Sequence, residues 1–154
     1  MIDAEGSTVK RRYAGVVNTT PNESPGARLA RIYQAVVEVV TEWRPTEAGV
    51  ESLFFAKNAS SAMPVAQARG VVLLALEHHS IPASEYPPQA IKQAIVGTGR
   101  ADKAQVQELV RVILGMKEIT KPDHAADALA AALCHFHSSA RARILSQGEG
   151  RSQG

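Results

Sequence analysis

The chain has 154 residues, 45% of them hydrophobic, which is enough to bury one core and too few for two comfortable domains. Seventeen Lys and Arg against fifteen Asp and Glu leave a net charge of +2, which excludes packing of nucleic acid by bulk charge; any nucleic-acid surface must be local. A single cysteine, Cys134, excludes an internal disulfide, the start "MIDAEGSTVKRR" lacks the apolar run of a signal peptide, and no stretch reaches the roughly 18 apolar residues of a membrane span, so a cytoplasmic protein is expected.

In chain order, "TVKRRYAGVV" (8–17) is rich in β-branched and aromatic residues and follows the turn-like "DAEG", which predicts a hairpin arm running into a strand. From Pro25 to Trp43, apolar residues from Leu29 to Val40 recur at helical spacing, and Pro45 ends that helix. "AGVESLFF" (48–55) is a short apolar run holding one acid, as in the central strand of a covered sheet. A second helix is expected over 60–77, with Pro64 tolerable because it falls near the first turn.

"SIPASEYPP" reads as a short strand leaving a proline-bounded turn, and "QAIKQAIVGTGRADK" as a short helix stopped by Gly97 and Gly99. "ADKAQVQELVRVIL" is amphipathic through Val106, Leu109, Val110, Ile113 and Leu114. "PDHAADALAAALCHFH" supplies the last helix, and the alternation of strands and helices predicts an α/β layered domain over residues 1–138. Residues 139–154, with Arg141, Arg143 and Arg151 and few large apolar groups, are expected to form a disordered basic tail.

The last helix carries the first chemical signal. Asp123 after Pro122 is placed to cap it, and His124 and Asp127 share a face one turn along. The alanines beyond them leave so little bulk that this helix can lie close against a sheet. By themselves these groups are also ordinary capping and surface residues. Glu51 changes the balance, because a carboxylate inside a covered strand costs several kcal/mol unless it is paired or binds a metal. Packed together, Glu51, His124 and Asp127 would form an oxygen-rich cluster with one nitrogen ligand, suited to magnesium or manganese. Two such ions about 4 Å apart activate water and stabilise the leaving oxygen of a phosphodiester.

Three long blocks in order, "VESLFFAKNASSAMPVAQARGVVLLAL", "EYPPQAIKQAIVGTGRADKAQVQELV" and "DHAADALAAALCHFH", give the chain a resemblance to the RuvC family of bacterial Holliday junction resolvases over nearly all of residues 1–138. The resemblance implies a ribonuclease H-like fold with a mixed central sheet flanked by helices. It also implies a homodimer that nicks four-way DNA junctions symmetrically in recombination and repair, with Mg2+ or Mn2+, two ions per site in a complete member, and with RuvA and RuvB as the branch-migration partners. It assigns Glu51 as the strand glutamate and His124 and Asp127 as the last-helix metal pair, His124 standing where some relatives carry Asp. Phe54 then matches an aromatic that stacks on a junction base, with core packing as the competing reading. Lys57, Arg69, Lys92 and Lys103 fall at DNA-facing positions, against which stands plain solvated charge. The remaining histidines receive no role; His135 and His137 are expected at the end of the last helix, where a cation favours the dipole.

The family's N-terminal strand bears a "GIDPG"-like motif whose aspartate is the first metal ligand, whereas this chain begins "MIDAEG". Asp3 is either that aspartate or part of the second strand and its turn. The Ala-Glu-Gly after it and the short distance to "YAGVV" favour the second alignment, and with it the expectation that the first strand is absent. On that expectation a truncated, non-catalytic module that recognises branched DNA is the alternative function. A purely structural domain would leave Glu51 unexplained.

Overall fold

The computed structural model describes residues 1–6, 8–52 and 59–149, with side chains described at 1–6, 8–52 and 62–140. Two short strands, β1 (Ile2–Glu5) and β2 (Thr8–Arg11), open the chain as an antiparallel hairpin, with Ile2 opposite Arg11 and Glu5 opposite Thr8. The strand expected to run on to residue 17 stops at Arg11, opposite Ile2 at the start of β1, and among the described residues no strand pairs with the chain beyond it.

Helix α1 (Pro25–Trp43) begins where the sequence places it: Ser24 accepts a hydrogen bond from the Ala27 amide at 3.2 Å, and Pro25 takes the first-turn position that needs no amide donor. It packs against α2 (Ala59–His78). Pro64 sits deeper than expected, as the sixth residue of α2, so the helix tolerates one missing amide bond beyond its first turn. Strand β3 (Ala48–Glu51) pairs in parallel with β4 (Ala83–Tyr86), Glu51 standing opposite Tyr86.

Helix α3 (Pro88–Val96) ends at Gly97, whose φ of 82° is the left-handed conformation that glycine adopts at least cost. Helix α4 (Lys103–Ile113) opens with a reciprocal capping box between Asp102 and Gln105. Helix α5 (Asp123–Glu149) closes the fold. The boundary expected after residue 138 falls inside α5, so His135 and His137 lie mid-helix and no terminal dipole acts on them.

The described strands form two ladders, antiparallel β1–β2 and parallel β3–β4, the two kinds of pairing expected of a mixed sheet whose first strand is absent. Helix α5 reaches both, packing on β3, β4 and β1 as well as on α3 and α4. Its Leu129, Ala130, Leu133 and Cys134 are buried with Ile91, Ile95 and Val110 in the larger core cluster. A smaller cluster of Val40, Leu76 and Ile81 lies on the other side of β3 and takes in Ala48 and Val50. The β3–β4 pair is therefore covered on both faces, as the apolar run in its sequence predicts.

Candidate metal and nucleic-acid site

Alternation along β3 decides what the site contains. Ala48 and Val50 pack into the α1–α2 cluster, so Gly49 and Glu51 share the opposite face, towards α5. A Cβ on Gly49 would lie 2.7 Å from the His135 Cβ and 2.9 Å from the Ala131 carbonyl oxygen; only glycine allows this approach. Two residues along the strand advance roughly 6.7 Å, and four residues along a helix advance about 6 Å. The step from Gly49 to Glu51 thus matches the step from Ala131 back to Asp127, which brings the Asp127 charge within electrostatic reach of Glu51. Buried Ala125, Ala126, Ala130 and Ala131 supply the small surface that tight helix packing was expected to need.

Glu51 is the last residue of β3 and lies exposed at the strand end, not inside a covered strand as the sequence suggested. Loss of surrounding water still raises its carboxyl pKa, and the Asp127 charge raises it further. Across the helix face His124 Nδ1 lies 4.0 Å from Asp127 Oδ2, with the imidazole 83% exposed and able to rotate. Asp127 is the common member of both pairs. Among the described residues no three His, Cys, Asp or Glu side chains close around one point, so the expected ligands meet as two pairs sharing Asp127. Their chemistry, two electrostatically coupled carboxylates and one imidazole, fits a hard divalent cation, which would relieve the repulsion at Glu51.

Lys103, at the start of α4, supplies the local positive charge. Its ammonium is 3.2 Å from Asp123 and 3.5 Å from Asp127. The hydrogen bond to Asp123 raises the Lys103 pKa, and the same bond lowers that of Asp123. Asp123 is therefore the first residue of the helix and a partner of Lys103, in place of the cap foreseen for it.

The other positions are spread out. Arg69 reaches from α2 to the Glu85 carboxylate on β4, so its charge is already paired within the protein. Lys92 lies half-buried on α3. Phe54 and Lys57 lie outside the described residues. The Asp3 carboxylate is 2.7 Å from Arg12 within the β1–β2 hairpin, and "MIDAEG" is a strand with its turn, Gly6 having φ 60°.

Sequence reasoning gave His135 no role, yet it joins three elements. Its Nε2 is 2.9 Å from Glu47 before β3, and its Nδ1 is 2.9 Å from the Tyr86 hydroxyl at the end of β4. These two hydrogen bonds pin α5 to the entry of β3 and the end of β4, one turn beyond Ala131. The signal available in sequence was the series Asp127, Ala131, His135 at helical i+4 spacing, set against a glycine two residues before the strand acid.

The family model for crossover junction endodeoxyribonuclease RuvC matches residues 1–135. A Treponema denticola protein of that name is 55% identical over 119 residues, covering 77% of this chain and 67% of the relative. One from Heliobacterium modesticaldum is 44% identical over 138 residues, covering 90% of this chain and 85% of the relative. Among solved structures, Thermus thermophilus RuvC superposes with a TM-score of 0.84 at 37% identity, covering 92% of this chain and 86% of that one. The same protein in complex with a Holliday junction substrate gives 0.83 at 35% identity, over 91% and 85%. The fold is that of RuvC, and the chain belongs to the RuvC family of crossover junction endodeoxyribonucleases.

Proposed function

We propose that this chain is a junction-resolving endonuclease whose reacting centre is the Glu51–Asp127 carboxylate pair, with His124 as third ligand. The observation that supports this most is the coupling of the two acids across the β3–α5 contact, where partial dehydration raises the Glu51 pKa and the Asp127 charge raises it further. Membership of a family whose relatives are named as junction endonucleases supplies the reaction class.

Magnesium or manganese bound there would supply an activated water and offset charge on the leaving oxygen. The chain's own residues do the positioning. Gly49 lets the strand close on the helix, His135 fixes the helical register, and exposed His124 turns in on Asp127. Lys103 holds Asp123 and Asp127 while its half-exposed ammonium meets an incoming phosphate, and Lys92 lies on the neighbouring helix. Phe54 and Lys57 retain their proposed contacts to junction bases and backbone. A homodimer is proposed because two symmetric cuts need two centres related by a twofold axis, with RuvA and RuvB as partners on the same junction.

Among the described residues no helix is long and apolar enough to cross a membrane, and we place the reaction in the cytoplasm. The test is a gel assay of the full chain with a synthetic four-way junction and a linear duplex, with and without Mg2+ or Mn2+. Paired, metal-dependent nicks confined to the junction are expected. Junction binding without nicks would overturn the catalytic reading in favour of a recognition module.

A further inference from the structure

We infer that the free edge of β2 and the segment after α4 form a docking cleft for an acidic, extended polypeptide segment. The hairpin register decides which backbone groups of β2 face away from β1. The Arg12 amide donates to the Met1 carbonyl at 3.0 Å, so this pair and, by alternation, Asp3 with Lys10 and Glu5 with Thr8 are the hydrogen-bonded pairs. The backbone groups of Val9 and Arg11 therefore point away from β1, and among the described residues they meet no backbone partner on that side. A cleft of about 960 Å³ borders Thr8, Val9, Lys10 and Arg11 in succession. Successive strand side chains face opposite ways, so a cleft that touches four in a row runs along the strand's edge.

The opposite wall is residues 112–121, held in place before any partner arrives. Arg111 donates to the Met116 carbonyl at 3.0 Å, and Arg11 reaches across to the buried Thr120 hydroxyl at 3.4 Å. Lys10, Arg11, Lys117 and Lys121 border the cleft with Glu118 as the one carboxylate among the described residues, around an apolar floor that includes Val9, Ile113 and Met116. Cations on an edge strand repel a second copy of the same edge, which keeps it from self-pairing. They attract a strand whose outward residues are acidic, and the floor takes its alternate apolar residues, which is recognition by strand addition. A phosphate backbone would use the cations and accept from the outward amides, but it offers no donor to the outward Val9 and Arg11 carbonyls and no alternate apolar side chains to the floor, so a peptide is favoured over nucleic acid.

The probe is a dye-labelled heptapeptide alternating glutamate and valine, titrated against the full chain by fluorescence anisotropy, with amide hydrogen exchange on the same complex. Saturable binding, protection of the Val9 and Arg11 amides, and at least a tenfold loss of affinity in Lys117→Glu/Lys121→Glu are expected. The exchange readout uses the unaltered protein, so it stands even if the variant fails to fold. No saturable binding, equal binding of a lysine–valine peptide, or unchanged exchange at Val9 and Arg11 overturns the inference. Protection of those amides by a single-stranded oligonucleotide that displaces the peptide would reassign the cleft to nucleic acid and overturn it equally.

Discussion

Replacing Gly49 with alanine tests the contact on which the site is built. The new Cβ would fall 2.7 Å from the His135 Cβ and 2.9 Å from the Ala131 carbonyl oxygen. One of these is backbone of α5, so no side-chain rotation relieves it, and β3 must move away from the helix. Overpacking of this kind costs about 1–3 kcal/mol, which for a chain of this length lowers Tm by roughly 2–12 °C. The retreat also carries Glu51 away from Asp127, so junction nicking should fall along with stability. Thermal unfolding followed by circular dichroism gives the first number and a junction gel the second. Adding His135→Gly removes one of the two collisions and leaves Ala131, so it should restore neither. A Gly49→Ala protein with unchanged Tm and unchanged nicking would refute the close-approach account.

Glu51→Gln keeps the shape of the strand end and removes a charge, so nicking should drop at least about a hundredfold while junction affinity holds; rate and gel-shift measurements on one preparation check this. Asp127→Asn removes the repulsion from its neighbour, and the Glu51 carboxyl, followed by carbon NMR through a pH titration, should titrate lower than in the unaltered protein. His135→Phe leaves Glu47 and the Tyr86 hydroxyl without this partner and should cost about 1–3 kcal/mol in urea unfolding; Tyr86→Phe alone should cost less. The lowered pKa of Asp123 means that its pairing with Lys103 stabilises the protein above the ordinary carboxyl range, near 3.8, and that this contribution is lost as pH falls through the depressed folded value. In Lys103→Ala the Asp123 titration should move up towards the ordinary range, and the part of the acid sensitivity that rests on this pairing should disappear.

Helix ends were legible where local chemistry sets them. Pro25 and Pro45 bracket α1, and Gly97 stops α3. The pairing of His124 with Asp127 was readable because one helical turn decides it. What was not readable depends on elements distant in sequence. Glu51 looks like a buried strand acid, yet the strand ends with it. Lys103 looks like a surface cation until α4 sets it beside Asp123 and Asp127. The i+4 series puts His135 on the face of Asp127 and Ala131, but nothing local names its partners Glu47 and Tyr86, since both arrive with the sheet. Arg69 has the charge of a DNA contact, but β4 brings Glu85 to it. The stretch from 8 to 17 is rich in β-branched and aromatic residues and has a ladder partner, among the described residues, only as far as Arg11.

The central claim is that the β3–α5 contact holds a divalent ion, and the most direct measurement is paramagnetic broadening of backbone amide signals on titration with Mn2+. Signals of Glu51, His124 and Asp127 should broaden first, and the effect should vanish from that region in Glu51→Gln. Broadening centred elsewhere, or unchanged by that substitution, would contradict the assignment of the metal to this site.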